Sequence, residues 1–329
     1  MQNVVNVVIG SILVVVFLVG LSGVLWIANG HPSATPLTHA ADWQVNTTNF
    51  SIFGLIALLY LGVTIPMNMA GEIRNRKVIP RHLLWGTVLV IISYTVCTLV
   101  PLVVRGPALA KAPILPYEIV TILDIVLGKA VGSVCAVCIL GFYLISPLVY
   151  SYANARLLFV AAIDQRLPRF LGRLSTNRVH ANAIIFQSII AGILVVCIFM
   201  IAPAITFLGK PADLATDVYN VLLAALTLIL ALSTIFFFVD LLLVYLRDRP
   251  RFHQQRIFPM WILWICMVVG PIACITVVVN TLQNSWIPQL ISNSQWLVVT
   301  GSIVLVAVLL TAIGAMLASS QTAWETWDQ

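Results

Sequence analysis

Long apolar runs separated by short polar stretches set the pattern of this chain from end to end. A hydrocarbon layer about 30 Å thick is crossed by roughly 20 helical residues. Eight runs are long enough, near 4–27, 50–70, 83–104, 127–152, 183–207, 217–246, 258–280 and 296–318. They predict eight transmembrane helices, an all-α polytopic membrane protein, and a single transmembrane domain over residues 1–329. The first run is almost continuous Val, Leu and Ile with no basic residue before it, so it reads as a span and not as a cleaved secretory signal. In the second run, Gly62 and Pro66 stand well inside the apolar stretch. Proline has no N–H to give a helix and its ring crowds the preceding turn, while glycine leaves the backbone unrestrained. Two outcomes are open there: a simple kink, or a local loss of helix whose freed backbone groups need neighbouring helices, water or a ligand.

Composition agrees with a bilayer setting. The chain is 61% hydrophobic and 9% charged, with a mean hydropathy of +1.05, against about 25% charged residues in soluble domains. The net charge of +6 is unevenly spread. Arg74, Arg76, Lys77 and Arg81 follow the second run; Arg156, Arg166, Arg169, Arg173 and Arg178 follow the fourth; Arg247, Arg249, Arg251 and Arg256 follow the sixth. These three connections hold thirteen of the seventeen Lys and Arg, whereas 28–49 and the seventh connection hold none. Basic residues are retained on the cytoplasmic side, so the second, fourth and sixth connections are expected in the cytoplasm, together with both termini. The positive charge is thus a topological signal, and no nucleic-acid partner is implied.

Enzyme chemistry has little support. The five histidines, His31, His39, His82, His180 and His253, fall in loops or at span edges, which leaves no intramembrane set for a metal or haem. The six cysteines lie inside predicted spans, where small apolar packing is the expected role, and "CAVC" at 135–138 has no second ligand pair. No serine in a span has a histidine base nearby, and no phosphate-cradling glycine loop occurs. No catalytic residue, metal site or cofactor is therefore expected.

A broken helix near the midplane offers a helix N-terminus to a carboxylate and free carbonyls to an ammonium or a cation. A zwitterionic amino acid matches both ends. The stretch "LLYLGVTIPMNMAGEIRNRKVIPRHLLWG" (58–86), followed by "YANARLLFVAAIDQRLPRFLGRL" (152–174), resembles the amino acid permeases of the amino acid/polyamine/organocation superfamily. The first is similar to that family's sixth helix and its exit, the second to the eighth helix and its exit.

The resemblance implies a five-plus-five inverted repeat with two further helices, in which the eight spans here are helices five to twelve and the first four are missing. It implies a secondary transporter moving amino acids or related amines by alternating access, coupled to H+ or Na+, in the plasma membrane. The alternative is a truncated, non-transporting remnant or an accessory subunit; the missing helices as a separate chain are a further expected partner. Substrate is expected at Tyr60, Gly62, Val63, Thr64, Ile65 and Pro66, with Thr64 standing where many relatives carry an acidic residue. Tyr60 matches an aromatic that closes over the substrate, against ordinary packing. Tyr143 and Ser146, with Pro147, interrupt an apolar run and face either the pocket or a neighbouring helix. Glu72, Arg156 and Asp164 gather at cytoplasmic ends, as a gate or as solvated surface charges. Asp240, near the end of a long run, is expected at the interface and not at the bilayer centre.

Overall fold

In lipid every backbone polar group needs an internal partner, and the apolar runs answer by coiling into helices. The computed structural model describes residues 2–36, 44, 50–61, 78–111, 115–175, 179–196, 211–256, 258–288 and 291–327. In chain order the helices are α1 (Gln2–Ala28), α2 (Phe53–Leu61), α3 (Val78–Val104), α4 (Leu115–Leu127), α5 (Lys129–Ile163) and α6 (Ala181–Val196). They continue with α7 (Pro211–Arg247), α8 (Arg249–Gln255), α9 (Met260–Gln283) and α10 (Asn293–Trp327), and short 3-10 turns occupy Gly106–Lys111 and Arg169–Gly172.

Six of these, Asn3–Ala28, Val78–Val104, Lys129–Ile163, Val218–Arg247, Met260–Gln283 and Asn293–Ala318, are long and apolar enough to cross a membrane. They correspond to the first, third, fourth, sixth, seventh and eighth runs. The second and fifth runs extend beyond the described residues, so α2 and α6 represent only parts of them. Outward-facing side chains such as Phe17, Val137 and Met316 are 68%, 70% and 70% exposed, a surface that only hydrocarbon tolerates in such quantity. Hydroxyls inside the helices return to their own backbone: Thr87, Thr95, Thr234 and Thr276 each donate to the carbonyl four residues earlier at 2.7–2.8 Å. Pro101, Pro147 and Pro271 lie within continuous helices, so an interior proline does not by itself end a helix in this chain.

The chain divides into two compact units, 1–44 with 65–157, and 45–64 with 158–329. In the first unit α1 and α3 run parallel. Gly20 lies opposite Val96 and Gly23 opposite Val100, where an added Cβ at Gly23 would stand 2.8 Å from a valine methyl, so small residues set how closely the two helices approach. Val15, Val19, Val100, Val104, Ile122, Leu123 and Cys135 form its core. The amphipathic α4 was not foreseen in the third connection. It starts with Pro116 and Glu118 in its first turn, both favourable at a helix N-terminus, and buries Ile122 and Leu123. Glu118, 8% exposed, accepts a charged hydrogen bond from Arg105 Nε at 3.0 Å.

In the second unit α9 packs antiparallel on α7, with Phe238 against Gly270 and Tyr245 5.5 Å from Trp264. Val221, Ala224, Ile287 and Trp296 make a core where the start of α7, the end of α9 and the start of α10 meet.

The long α5 outlasts its apolar run by eleven residues and ends in a Schellman motif. Gln165 N–H donates to Ala162 O at 3.2 Å, Arg166 N–H donates to Ala161 O at 2.9 Å, and Gln165 takes φ 57°. Left-handed backbone costs an L-residue about 1 kcal/mol or slightly more. Gln165→Gly is expected to stabilise the protein by about 1 kcal/mol and Gln165→Val to destabilise it by a similar amount; paired thermal melts in detergent would read both.

Candidate functional site

The residues expected to hold substrate divide sharply by position. Gly62, Val63, Thr64, Ile65, Pro66 and Glu72 lie outside the described residues. What the structure describes is the helix leading into them, α2, which carries Tyr60 one residue before its last position. Tyr60 is 39% exposed.

An apolar nine-residue helix has no charged residue to fix it, and its first N–H groups lack intrahelical acceptors. A distant side chain supplies what is missing. Asn280, 3% exposed near the end of α9, accepts from Gly54 N–H at 3.1 Å through Oδ1 and donates from Nδ2 to Phe50 O at 2.8 Å. Its amide therefore caps α2 from another helix. Gly54 makes the approach possible, because a Cβ there would overlap Thr281 Oγ1 and stand 3.2 Å from Thr281 Cβ.

The end of α9 is secured in turn. The last carbonyls of a helix are unpaired, and here Asn280 O accepts from Asn284 N–H at 3.0 Å, while Thr281 O accepts from Trp296 Nε1 at 2.8 Å. Trp296 is fully buried, and Thr300 Oγ1 donates to its carbonyl at 2.6 Å. Below it, Asn293 Oδ1 accepts from Ser285 N–H at 2.9 Å. Removing one partner of a buried hydrogen bond costs about 1–3 kcal/mol, so this chain of contacts joins α2, α9 and α10 firmly. Asn280 and Thr281 are legible in the sequence as a polar pair at the end of an apolar run, but nothing in the sequence relates them to α2.

On α5, Tyr143 and Ser146 are three residues apart and so share a helix face. Tyr143 is 55% exposed, Ser146 half-buried, and Pro147 does not interrupt the helix. Arg156, half-buried, lies on the last two turns of the same helix; Asp164, exposed, follows its end and donates its N–H to Val160 O at 2.9 Å. The second quoted motif therefore forms a helix end, the Schellman turn and a 3-10 return, fixed by Asn182 Nδ2 donating to Phe170 O at 2.8 Å. Asp240 is exposed two turns from the end of α7.

One concavity lies elsewhere. A cavity of about 660 Å³ between α1 and α3 is lined by Phe17, Gly20, Trp85, Val88, Ile92 and Val96 among other apolar groups. Ser93 is the polar side chain of that lining, so it offers neither charge nor a set of donors for a zwitterion.

A family model described as "Amino acid permease" matches residues 1–310 of the chain. No curated protein and no solved structure matches it.

Proposed function

The chain belongs to the amino acid permease family, whose members are membrane transporters and not enzymes, and from that premise we propose that it carries amino acids or related amines by alternating access. The match over residues 1–310 is the observation that carries the reading. We take its spans to correspond to helices five to twelve of the family, on the order and spacing of the two quoted motifs.

Topology supports the proposal. Within each unit the observed contacts join helix ends that the alternating charge pattern assigns to one side of the membrane. The end of α1 meets the end of α3 through Ala34 N–H donating to Val103 O at 2.8 Å, and the start of α2 meets the end of α9 at Asn280. Tyr245 and Trp264 pair near the basic sixth connection. Same-side pairing of this kind is what alternating spans require, and the charge pattern alone is what assigns the second, fourth and sixth connections to the cytoplasm.

In this reading the backbone of Gly62, Val63, Ile65 and Pro66 and the Thr64 hydroxyl hold the substrate's carboxylate and ammonium, and Tyr60 closes over it. Tyr143 and Ser146 contribute the half-exposed face of α5. Glu72, Arg156 and Asp164 pair when the cytoplasmic side closes, and H+ or Na+ supplies the driving gradient.

The test is uptake of a mixture of radiolabelled amino acids into proteoliposomes holding only the purified 329-residue chain, with and without proton and sodium gradients. Saturable uptake above empty liposomes, lowered by at least tenfold in Pro66→Leu, is the expected result, since a misplaced binding geometry costs on the order of 10²-fold in rate. No uptake by folded, inserted protein would favour the accessory or remnant reading.

A further inference from the structure

Two hydrogen bonds that fasten the first turn of α2 to α9 pass through one side chain. Asn280 is almost wholly buried, and both ends of its amide are used, one on the Phe50 carbonyl and one on the Gly54 N–H. At Gly54 the backbone of α2 packs directly on the Thr281 side chain of α9. Trp296 then holds the carbonyl of the neighbouring Thr281 from α10. Parting α2 from α9 would leave two backbone groups unpaired where water is scarce, which is the costliest place to leave them.

We propose that Asn280 is a positioning residue that fastens the first turn of α2 to α9, so that the two stay together through the transport cycle. This rests on the transporter reading for its purpose, but the fastening itself is measurable without transport.

Two measurements test it. An added Cβ at Gly54 stands 3.2 Å from Thr281 Cβ, close to the roughly 3.5–4.5 Å of a disulfide. With the six native cysteines replaced by alanine, Gly54→Cys with Thr281→Cys is expected to form a disulfide in the membrane, and oxidised protein to transport within twofold of its reduced form. Failure to cross-link would overturn the contact. A tenfold loss of uptake on oxidation, restored by dithiothreitol, would mean that the helices separate in the cycle and would overturn the proposal.

The second measurement is amide hydrogen exchange in nanodiscs. Asn280→Leu, which keeps the volume and removes both hydrogen bonds, is expected to speed exchange at the Gly54 amide by at least tenfold, while Thr281→Ala leaves it within threefold of wild type. Wild-type exchange at Gly54 in Asn280→Leu would sink the assignment. Should neither the reduced double-cysteine protein nor wild type transport, the transporter reading fails. The exchange result would then still decide whether Asn280 fastens α2.

Discussion

Gly54→Val is expected to lower stability by about 3 kcal/mol, the upper part of the range for forcing extra volume into a packed contact. The first added carbon would overlap Thr281 Oγ1, and Trp286 Cζ2 is 3.4 Å away on the same side. Neither neighbour is free to yield. Thr281 is fully buried with its carbonyl held by Trp296, and the Trp286 ring lies 6.1 Å from that of Trp296. Moving α2 outward instead would stretch both hydrogen bonds to Asn280. A double-mutant cycle separates the causes: because the overlapping atom is a hydroxyl oxygen, Thr281→Ala should recover at least 1 kcal/mol of the loss in Gly54→Ala. Equal losses with and without the threonine hydroxyl would mean that the helices meet elsewhere. Denaturation in mixed micelles, with the same variants compared for exchange at α2, would read the cycle.

This contact also marks the limit of what one sequence discloses. The apolar runs located the long helices, because a membrane helix is defined by length and composition. The run near 4–27 became Gln2–Ala28 and the run near 258–280 became Met260–Gln283. Where polar residues continued a helix past its apolar part, run length misjudged the end: α5 passes Asn154 and Arg156 to reach Ile163. Run length also passed over α4, whose thirteen residues are too few for a span and whose two carboxylates look like loop chemistry. Its apolar positions Ile119, Ile122, Leu123 and Val126 recur at helical spacing, which was the available sign. Gly54 and Asn280 are 226 residues apart, and no periodicity relates them. In the sequence a glycine suggests an unrestrained backbone, whereas at Gly54 its use is the space left by an absent side chain. Of the expected substrate residues, Tyr60, Tyr143 and Ser146 fall on described helices, and the glycine and proline segment itself lies outside them.

Gly106→Ala is the second large effect, again about 3 kcal/mol, and its origin differs in a way that can be measured. Gly106 takes φ +54°, which alone costs an L-residue about 1 kcal/mol. The remainder comes from Ala34, whose carbonyl oxygen, carbonyl carbon and Cβ would stand 2.7, 2.8 and 2.8 Å from the added carbon. Backbone atoms cannot rotate aside, and this backbone is tied down. Ala34 N–H donates to Val103 O at 2.8 Å and Thr35 Oγ1 to Leu102 O at 2.8 Å. One step further back, Trp26 Nε1 donates to Pro32 O at 3.3 Å while its ring stacks on His31 at 4.2 Å. Residues 31–35 thus form a strap from the end of α1 across the end of α3, and Gly106 is the space under it. Arg105, the next residue, is committed to Glu118 on α4, so the chain at 105–106 cannot retreat without drawing a buried carboxylate from its partner. Ala34→Gly should rescue Gly106→Ala by less than 1 kcal/mol, because the two closest atoms it meets are backbone. Limited proteolysis should then cut the strap between Gly30 and Thr35 in Gly106→Ala while sparing wild type. Full rescue by Ala34→Gly would mean that side-chain crowding, and not the fixed backbone, makes glycine necessary at this position.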